Sequence, residues 1–379
     1  MKLIHLSDLH IGKRVNEFSM LLDQEYILTK IINIIDEVEP DGVIIAGDVY
    51  DKSVPSAEAV QLFDEFIYKL AKRDLKVFVI SGNHDSPERI AFGSRVFDES
   101  GIHMSPVYNG KVSPITLNDK YGNVDIYMVP FIKPAHVRRF YPEEKIESYT
   151  EAMKVALKES FELNSDNRNI LITHQFVTGA QRSESEDISV GGMDNIEVSV
   201  FEDFDYVALG HIHKPQKIGK DTVRYSGTPL KYSFSEANHE KSVTVIELFE
   251  KGNIKMDTIS LISKRDLREI KGTYLEITAK SNYENTNTDD YMHITLTDEE
   301  DIMDAIGKLR VIYPNLMKLD YDNIRTRSNE TLIESEDIDR KSPIELFSEF
   351  YEKQNNQEMH KEQRSLIEGL IERIWEGEA

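Results

Sequence analysis

Cysteine is absent from the 379 residues. Disulfides, thiolate metal sites and cysteine nucleophiles are thereby excluded, and any metal site must use nitrogen and oxygen donors. Long apolar runs are also missing, and none approaches the ~20 residues that span a bilayer. The opening MKLIHLSD has no basic region leading into an apolar stretch, so it does not read as a secretory signal. Together these absences predict a cytoplasmic protein. Positive charge is scarce: 45 Lys and Arg face 68 Asp and Glu, a net charge of -23. Nucleic-acid backbones are bound by clustered Lys and Arg, so the bulk charge argues against such a ligand. Bound cations or a local basic groove would weaken that argument. What is plentiful is apolar content, at 40%. That supports a sizeable core and two or three domains.

Short apolar strands alternate with helical patterns through the first part of the chain. The strand Lys2–Ser7 ends at Asp8, and Met20–Val38 carries apolar residues at helical spacing. Val43–Ala46 ends at Gly47-Asp48, and Val77–Ile80 leads into Ser81-Gly82-Asn83-His84-Asp85. Further strands end at Pro130-Phe131, at His174 and at Gly210-His211-Ile212-His213, with a helix over 143–161 between the first two. Beyond these, three strands without long helices close a layered αββα domain near residue 265. Residues 266–333 read as a small α+β domain. Its predicted strands are 273–279, 291–296 and 320–326, and its helix is 298–311. An acidic, loose stretch at 334–341 precedes two amphipathic helices, over 344–351 and 366–375.

Ligands gather where the strands of an α/β sheet end, because the loops there converge on one crevice. Asp8, Asp48, Asn83, His174 and His211 all fall at such ends, and His10 and His213 lie two residues beyond a neighbour in the set. One such Asp would read as a turn or cap, and one such His as a packing residue. Five strand ends carrying N or O donors are poorly explained as accidents. Residues two apart in extended backbone point the same way, so each pair could wrap or straddle ions. Four imidazoles, two carboxylates and an amide oxygen suit two divalent cations, which cleave phosphate esters. Mn²⁺ fits activity, with Zn²⁺, Fe²⁺ or Mg²⁺ also accommodated. His84, beside Asn83, is placed to protonate a leaving oxygen, and Asp85 to orient that imidazole. His5, His103, His136, His239, His293 and His360 lack such placement and read as surface or packing residues. Basic residues follow the ligand motifs (Lys13, Arg14, Lys52, Arg89, Arg95, Lys133, Arg138, Arg139, Lys214 and Lys217) and would form a positive rim if those loops line one cleft.

This ordered set resembles the calcineurin-like metallophosphoesterases. Within them, LIHLSDLHIGK, AGDVYDKSVPS, VISGNHDSPERI, GHIHKPQ and YSGTPLKYSFSEANHEKSV are similar to the SbcD family of DNA repair nucleases. The resemblance implies a four-layer αββα sandwich over 1–265, a capping, DNA-binding domain over 266–333, and a linker with C-terminal helices over 334–379. It implies that Asp8, His10, Asp48 and His213 hold one ion and that Asp48, Asn83, His174 and His211 hold the other, with His84 catalytic. It further implies Mn²⁺ preference, a homodimer, and a partner, SbcC, which is an ABC-type ATPase with a long coiled coil. The implied activity is an ATP-dependent 3′–5′ double-strand exonuclease and a single-strand and hairpin endonuclease, by metal-activated water attack on the phosphodiester. Where some archaeal and eukaryotic relatives carry a second histidine, this chain has Asp51.

Other phosphoesterases stay open as alternatives. Protein phosphatases resemble GDxxDRG and GNHE, from which this chain departs by Lys52 in place of the arginine and Asp85 in place of the glutamate. Small phosphodiesterases would not need residues 266–379, and a non-catalytic scaffold would not need an intact ligand set. By the resemblance, the dimer contact lies in segments 58–72 and 88–99, including Leu62, Phe63, Phe66, Leu70, Ile90, Phe92, Val96 and Phe97. The tail residues Phe347, Phe350, Leu370, Ile371, Ile374 and Trp375 are expected to dock on the SbcC coiled coil.

Overall fold

The computed structural model describes residues 1–160, 163–186, 195–324, 326, 342–355 and 359–375. The strand Lys2–Leu6 lies beside Gly42–Ala46, then Lys76–Ile80, then Ile102–Met104, all parallel. On its other side Ser242–Leu248 and Ile254–Ser260 add antiparallel, completing six strands. A second six-stranded sheet runs in the order Gln216–Ile218, Lys220–Tyr225, Tyr206–Gly210, Arg168–His174, Gly122–Val129, Ile115–Asp119. Its inner pairings are parallel and its two edge hairpins antiparallel.

Period-two alternation divides each strand between two cores. Leu3, Ile44 and Phe78 of the first sheet share a buried cluster with Ile126, Ile170 and Tyr206 of the second. The alternate residues Ile4, Val43, Ile45, Val77 and Val79 pack instead with Ile27, Ile31 and Ile35 of helix Leu21–Val38 and with Phe63, Phe66 and Leu70 of helix Ala57–Ala71. Behind the second sheet, Tyr127, Leu171, Val207 and Leu209 meet Met153 and Ala156 of helix Tyr149–Ser160. Three apolar layers between four structural ones make the αββα sandwich. Each such side chain contributes about 1.5–3 kcal/mol when withdrawn from water. Ser56 caps the second helix by accepting from Ala59 N at 3.3 Å.

Residues 1–269, 287–293 and 313–318 form one compact unit, which contains the whole sandwich. Residues 270–286, 294–312 and those from 319 onward form a second. A three-stranded sheet runs in the order Leu267–Gly272, Tyr291–Leu296, Leu316–Tyr321. Residues 273–279, predicted as a strand, hold the helix Tyr274–Thr278. Thr273 accepts from Glu276 N, and Glu276 reaches back to Thr273 N at 2.8 Å, a capping box that outweighs the alternation. The helix predicted over 298–311 is confined to Ala305–Arg310, and the strand predicted at 320–326 lies at Leu316–Tyr321. Segment 88–99 divides between the short helices Pro87–Ile90 and Ser94–Phe97. The tail forms helices Pro343–Asn355 and Lys361–Trp375, while the loose stretch predicted at 334–341 lies outside the described residues. Among the described residues no helix is long and apolar enough to cross a membrane.

Candidate metal centre

All seven predicted donors converge at one end of the two sheets, on loops held together by the backbone itself. Asp8 N donates to Gly47 O at 3.0 Å, His10 N to Asp48 O at 2.9 Å and Ile11 N to Val49 O at 2.9 Å. The extended backbone expected to align Asp8 with His10 is not what aligns them. Asp8, His10, Asp48 and His211 all have positive φ, at 53°, 44°, 48° and 105°. Non-glycine residues adopt such values at a cost that the surrounding structure must cover, and they cluster at functional sites. Gly82 meets a different demand. A Cβ there would lie 2.1 Å from Asp48 Oδ1, so only glycine lets the two loops approach this closely.

Two groups of donors share the cluster. His10 Nε2 lies 3.1 Å from His213 Nε2 and 3.7 Å from Asp48 Oδ2. Asn83 Oδ1 lies 3.0 Å from His174 Nε2 and 2.9 Å from His211 Nδ1. Asp48 Oδ2 is 3.3 Å from His174 Nε2, and so reaches both groups. Asp8, His10 and His213, and likewise Asp8, Asp48 and His174, offer ligand atoms within 4.8 Å of one another. The donor chemistry fits a cation. His174 Nδ1 faces the Ala46 carbonyl at 2.8 Å and must therefore carry the ring proton. In the neutral ring Nε2 then points its lone pair at two further acceptors, Asn83 Oδ1 and Asp48 Oδ2. A proton or a metal ion satisfies that arrangement; a neutral, metal-free site does not. Against the effect of burial, Asp48 and then Asp8 push His174 up to about 9. Burial pushes Asp8 up to about 6 and His211 down to about 3. Asp48 is itself buried, yet His174, His10 and His84 hold it well below the usual carboxylate range. A buried His/Asp cluster capable of holding two divalent ions is thus present.

His84 stands at the mouth of this cluster, partly exposed. Its backbone N donates to Asp48 Oδ1 at 2.9 Å, and its ring packs edge-on to His10. Nδ1 donates to the Asp51 carbonyl at 3.0 Å, leaving Nε2 on the side of Asp48 Oδ2, 4.0 Å away. Asp85 does not orient this ring as expected. Its buried carboxylate accepts from Val49 N, Tyr50 N and Gly82 N, and burial pushes it up to about 6. It ties the Asp48 loop to the Asn83 loop, and the task of fixing His84 falls to a carbonyl. The predicted basic rim is partly engaged elsewhere: Lys13 pairs with Asp51 at 2.8 Å, Lys217 with Asp221, and Arg138 donates to Ile146 O. Lys52, Arg89, Lys133 and Arg139 remain exposed.

Four site residues were not found in the sequence. Ser185, Glu186, Glu236 and Lys241 surround His213, and Glu236 is 0% exposed. Charged residues 23 to 28 positions from the ligand they touch leave no periodic or spacing signal. Of the remaining histidines, His5 is buried against Tyr206, His103 pairs with Asp98 and His293 with Glu269.

The chain belongs to the calcineurin-like phosphoesterases, whose family model matches residues 1–215. A second model, described as the Type 5 capsule protein repressor C-terminal domain, matches residues 263–355. Within the class, the chain is closely related to the bacterial SbcD nuclease subunits. It is 32% identical over 381 residues to the SbcD subunit of the SbcCD nuclease from Staphylococcus epidermidis, covering 100% of both chains. The SbcD subunit from Staphylococcus saprophyticus is 34% identical over 352 residues, 92% of each chain. Among solved structures, a dimetal phosphatase from Danio rerio is similar at 11% identity and a TM-score of 0.41, covering 69% of this chain and 96% of that one.

Proposed function

We propose that this chain cleaves DNA phosphodiesters at its two-ion centre, as the nuclease of an SbcCD-type complex with an SbcC-type ATPase. The observation that carries the reading is the convergence of all seven donors on one point, in a chain related end to end to an SbcD subunit. Asp8, His10, Asp48 and His213 would hold one cation, and Asp48, Asn83, His174 and His211 the other. When bound, the two ions, Mn²⁺ in the active form, supply Lewis acidity for water and for the phosphate charge. His84, its Nδ1 proton committed to Asp51 O, presents Nε2 to protonate the departing 3′ oxygen, leaving 5′-phosphate and 3′-hydroxyl ends. Lys52, Arg89, Lys133 and Arg139 are available to phosphates beside the cleft.

ATP-dependent 3′–5′ exonuclease action on duplex ends, and endonuclease action on hairpins and single strands, would need the partner's surface as well. The tail helices present Phe347, Phe350, Leu366 and Leu370, all at least 37% exposed, as a docking face for the SbcC coiled coil. The side chains of Ile374 and Trp375 lie outside the described residues. Phe92 and Val96, exposed beside the Asn83 loop, suit the homodimer contact, and residues 266–333 the capping role. The setting is the cytoplasmic nucleoid. The test is Mn²⁺-dependent cleavage of single-stranded DNA set beside a phosphopeptide, with full-length protein and a chain lacking residues 343–379. Both forms should cut the DNA and spare the phosphopeptide, and only the full chain should bind SbcC. Turnover of the phosphopeptide alone would reject the nuclease reading. A truncated chain binding SbcC at full affinity would move the partner interface elsewhere.

A further inference from the structure

His213 is surrounded by buried polar groups with no part in the chemistry above. Its Nδ1 lies 2.7 Å from Ser185 Oγ and 3.3 Å from Glu236 Oε1. Ser185 Oγ donates its own proton to Glu236 Oε1, so it accepts from the imidazole. Nδ1 therefore carries the ring proton, and the Nε2 lone pair faces His10 and the metal cluster. Lys241, 5% exposed, donates its three protons to Glu236 Oε2 at 2.5 Å, Thr228 Oγ1 at 2.6 Å and the His213 carbonyl at 2.9 Å. One ammonium thus holds both the backbone of the ligand and the carboxylate that orients its ring. Glu186 Oε1 completes the enclosure by accepting from His213 N at 2.6 Å.

Two buried charges are costly to desolvate, and an apolar pair of similar volume would serve stability as well or better. Their retention points to positioning. We infer that Glu236 and Lys241 form a positioning pair that commits His213 to metal binding through Nε2, and so determines occupancy of the ion site built on Asp8, His10, Asp48 and His213. This rests on the two-ion reading above. Outer partners of a ligating histidine fix its tautomer and orientation, and their loss typically weakens metal binding about 10–100-fold.

The test compares two full-length double variants by Mn²⁺ titration calorimetry and by electron paramagnetic resonance of the bound ions. Glu236→Met with Lys241→Met removes both members of the ion pair together, so neither is left facing the gap of the other. Glu236→Gln with Lys241→Met also removes the charges but restores an acceptor at Oε1. The first should keep one Mn²⁺ site at wild-type affinity, weaken the other about 10–100-fold, and replace the spin-coupled two-ion signal with that of an isolated ion. The second should recover the coupled signal. Ser185→Ala, which removes a hydroxyl and no charge, should weaken the same single site and serves if the methionine pair does not fold. Wild-type affinity at both sites in the methionine pair and in Ser185→Ala would overturn the inference. Wild-type protein that takes up no ion pair would instead overturn the two-ion reading beneath it.

Discussion

Replacing Gly82 with alanine puts the closeness of the two candidate metal-binding loops to the test. The added Cβ would sit 2.1 Å from Asp48 Oδ1, 2.4 Å from Asp48 N and 2.7 Å from Asp48 Cγ. Real Cβ atoms essentially never approach closer than 3.0 Å, so the carboxylate or its loop must retreat by about 1 Å. That carboxylate is the one shared between both donor groups, and its Oδ1 also holds the backbone of His84. A displacement of about 1 Å in a reacting constellation costs on the order of 10²-fold in rate. The accompanying overpacking costs about 1–3 kcal/mol, short of the ~5–15 kcal/mol that holds a domain together. Gly82→Ala should therefore melt as a folded protein, bind Mn²⁺ weakly in calorimetry, and hydrolyse bis-p-nitrophenyl phosphate about 10²-fold more slowly. Gly369→Ala, where a Cβ meets nothing within 4 Å, is the control and should leave the centre unchanged. Two tightly bound ions and kcat/KM within about threefold of wild type in Gly82→Ala would refute the steric reasoning.

Other expectations follow from the same geometry. His84→Ala should lower kcat by about 10²–10⁴-fold while two ions still bind; loss of an ion in elemental analysis would make His84 a ligand, a role its 4.0 Å approach to Asp48 keeps within reach. Burial, reinforced by Arg224, pushes His5 down to about 3 from its ordinary 6.5. The unfolded chain thus takes up this proton before the folded one does. The His5 contribution to stability is complete above pH 6.5 and is lost as pH falls from there toward 3. Urea unfolding at about pH 7 and about pH 4.5 should show a smaller acid loss in His5→Gln than in wild type, by up to about 1.4 kcal/mol per pH unit; equal losses would remove His5 from the account. The proposed homodimer contact predicts that Phe92→Glu with Val96→Glu, at two exposed positions, gives a monomer in sedimentation that still hydrolyses the small diester; an unchanged mass would reject that contact.

The clustering of the candidate donors was legible because strand ends are legible. Short apolar runs reveal buried parallel strands, and the residue after each run marks where a crevice opens. Asp8 and His10 are nevertheless not paired by period-two geometry, which requires extended backbone, because both residues have positive φ. Asp85 misled in a similar way: adjacency to His84 suggested a side-chain bond, but the carboxylate points to three backbone amides, two of them on the Asp48 loop. In segment 273–279 an alternating pattern competed with a Thr-x-x-Glu capping box, and the box prevailed because it satisfies backbone donors locally. Glu236 and Lys241 fall within the stretch YSGTPLKYSFSEANHEKSV, but no role for either could be read from it. Their meaning lies in contacts to His213 that only the folded chain creates.

Counting ions against activity tests the central claim most directly. Protein purified metal-free, loaded with Mn²⁺ and analysed for bound metal should hold two ions per chain. Cleavage of single-stranded DNA should rise as the pair fills and vanish in excess chelator. Cleavage that persists in chelator, or that reaches its maximum with fewer than two ions per chain, would contradict the account.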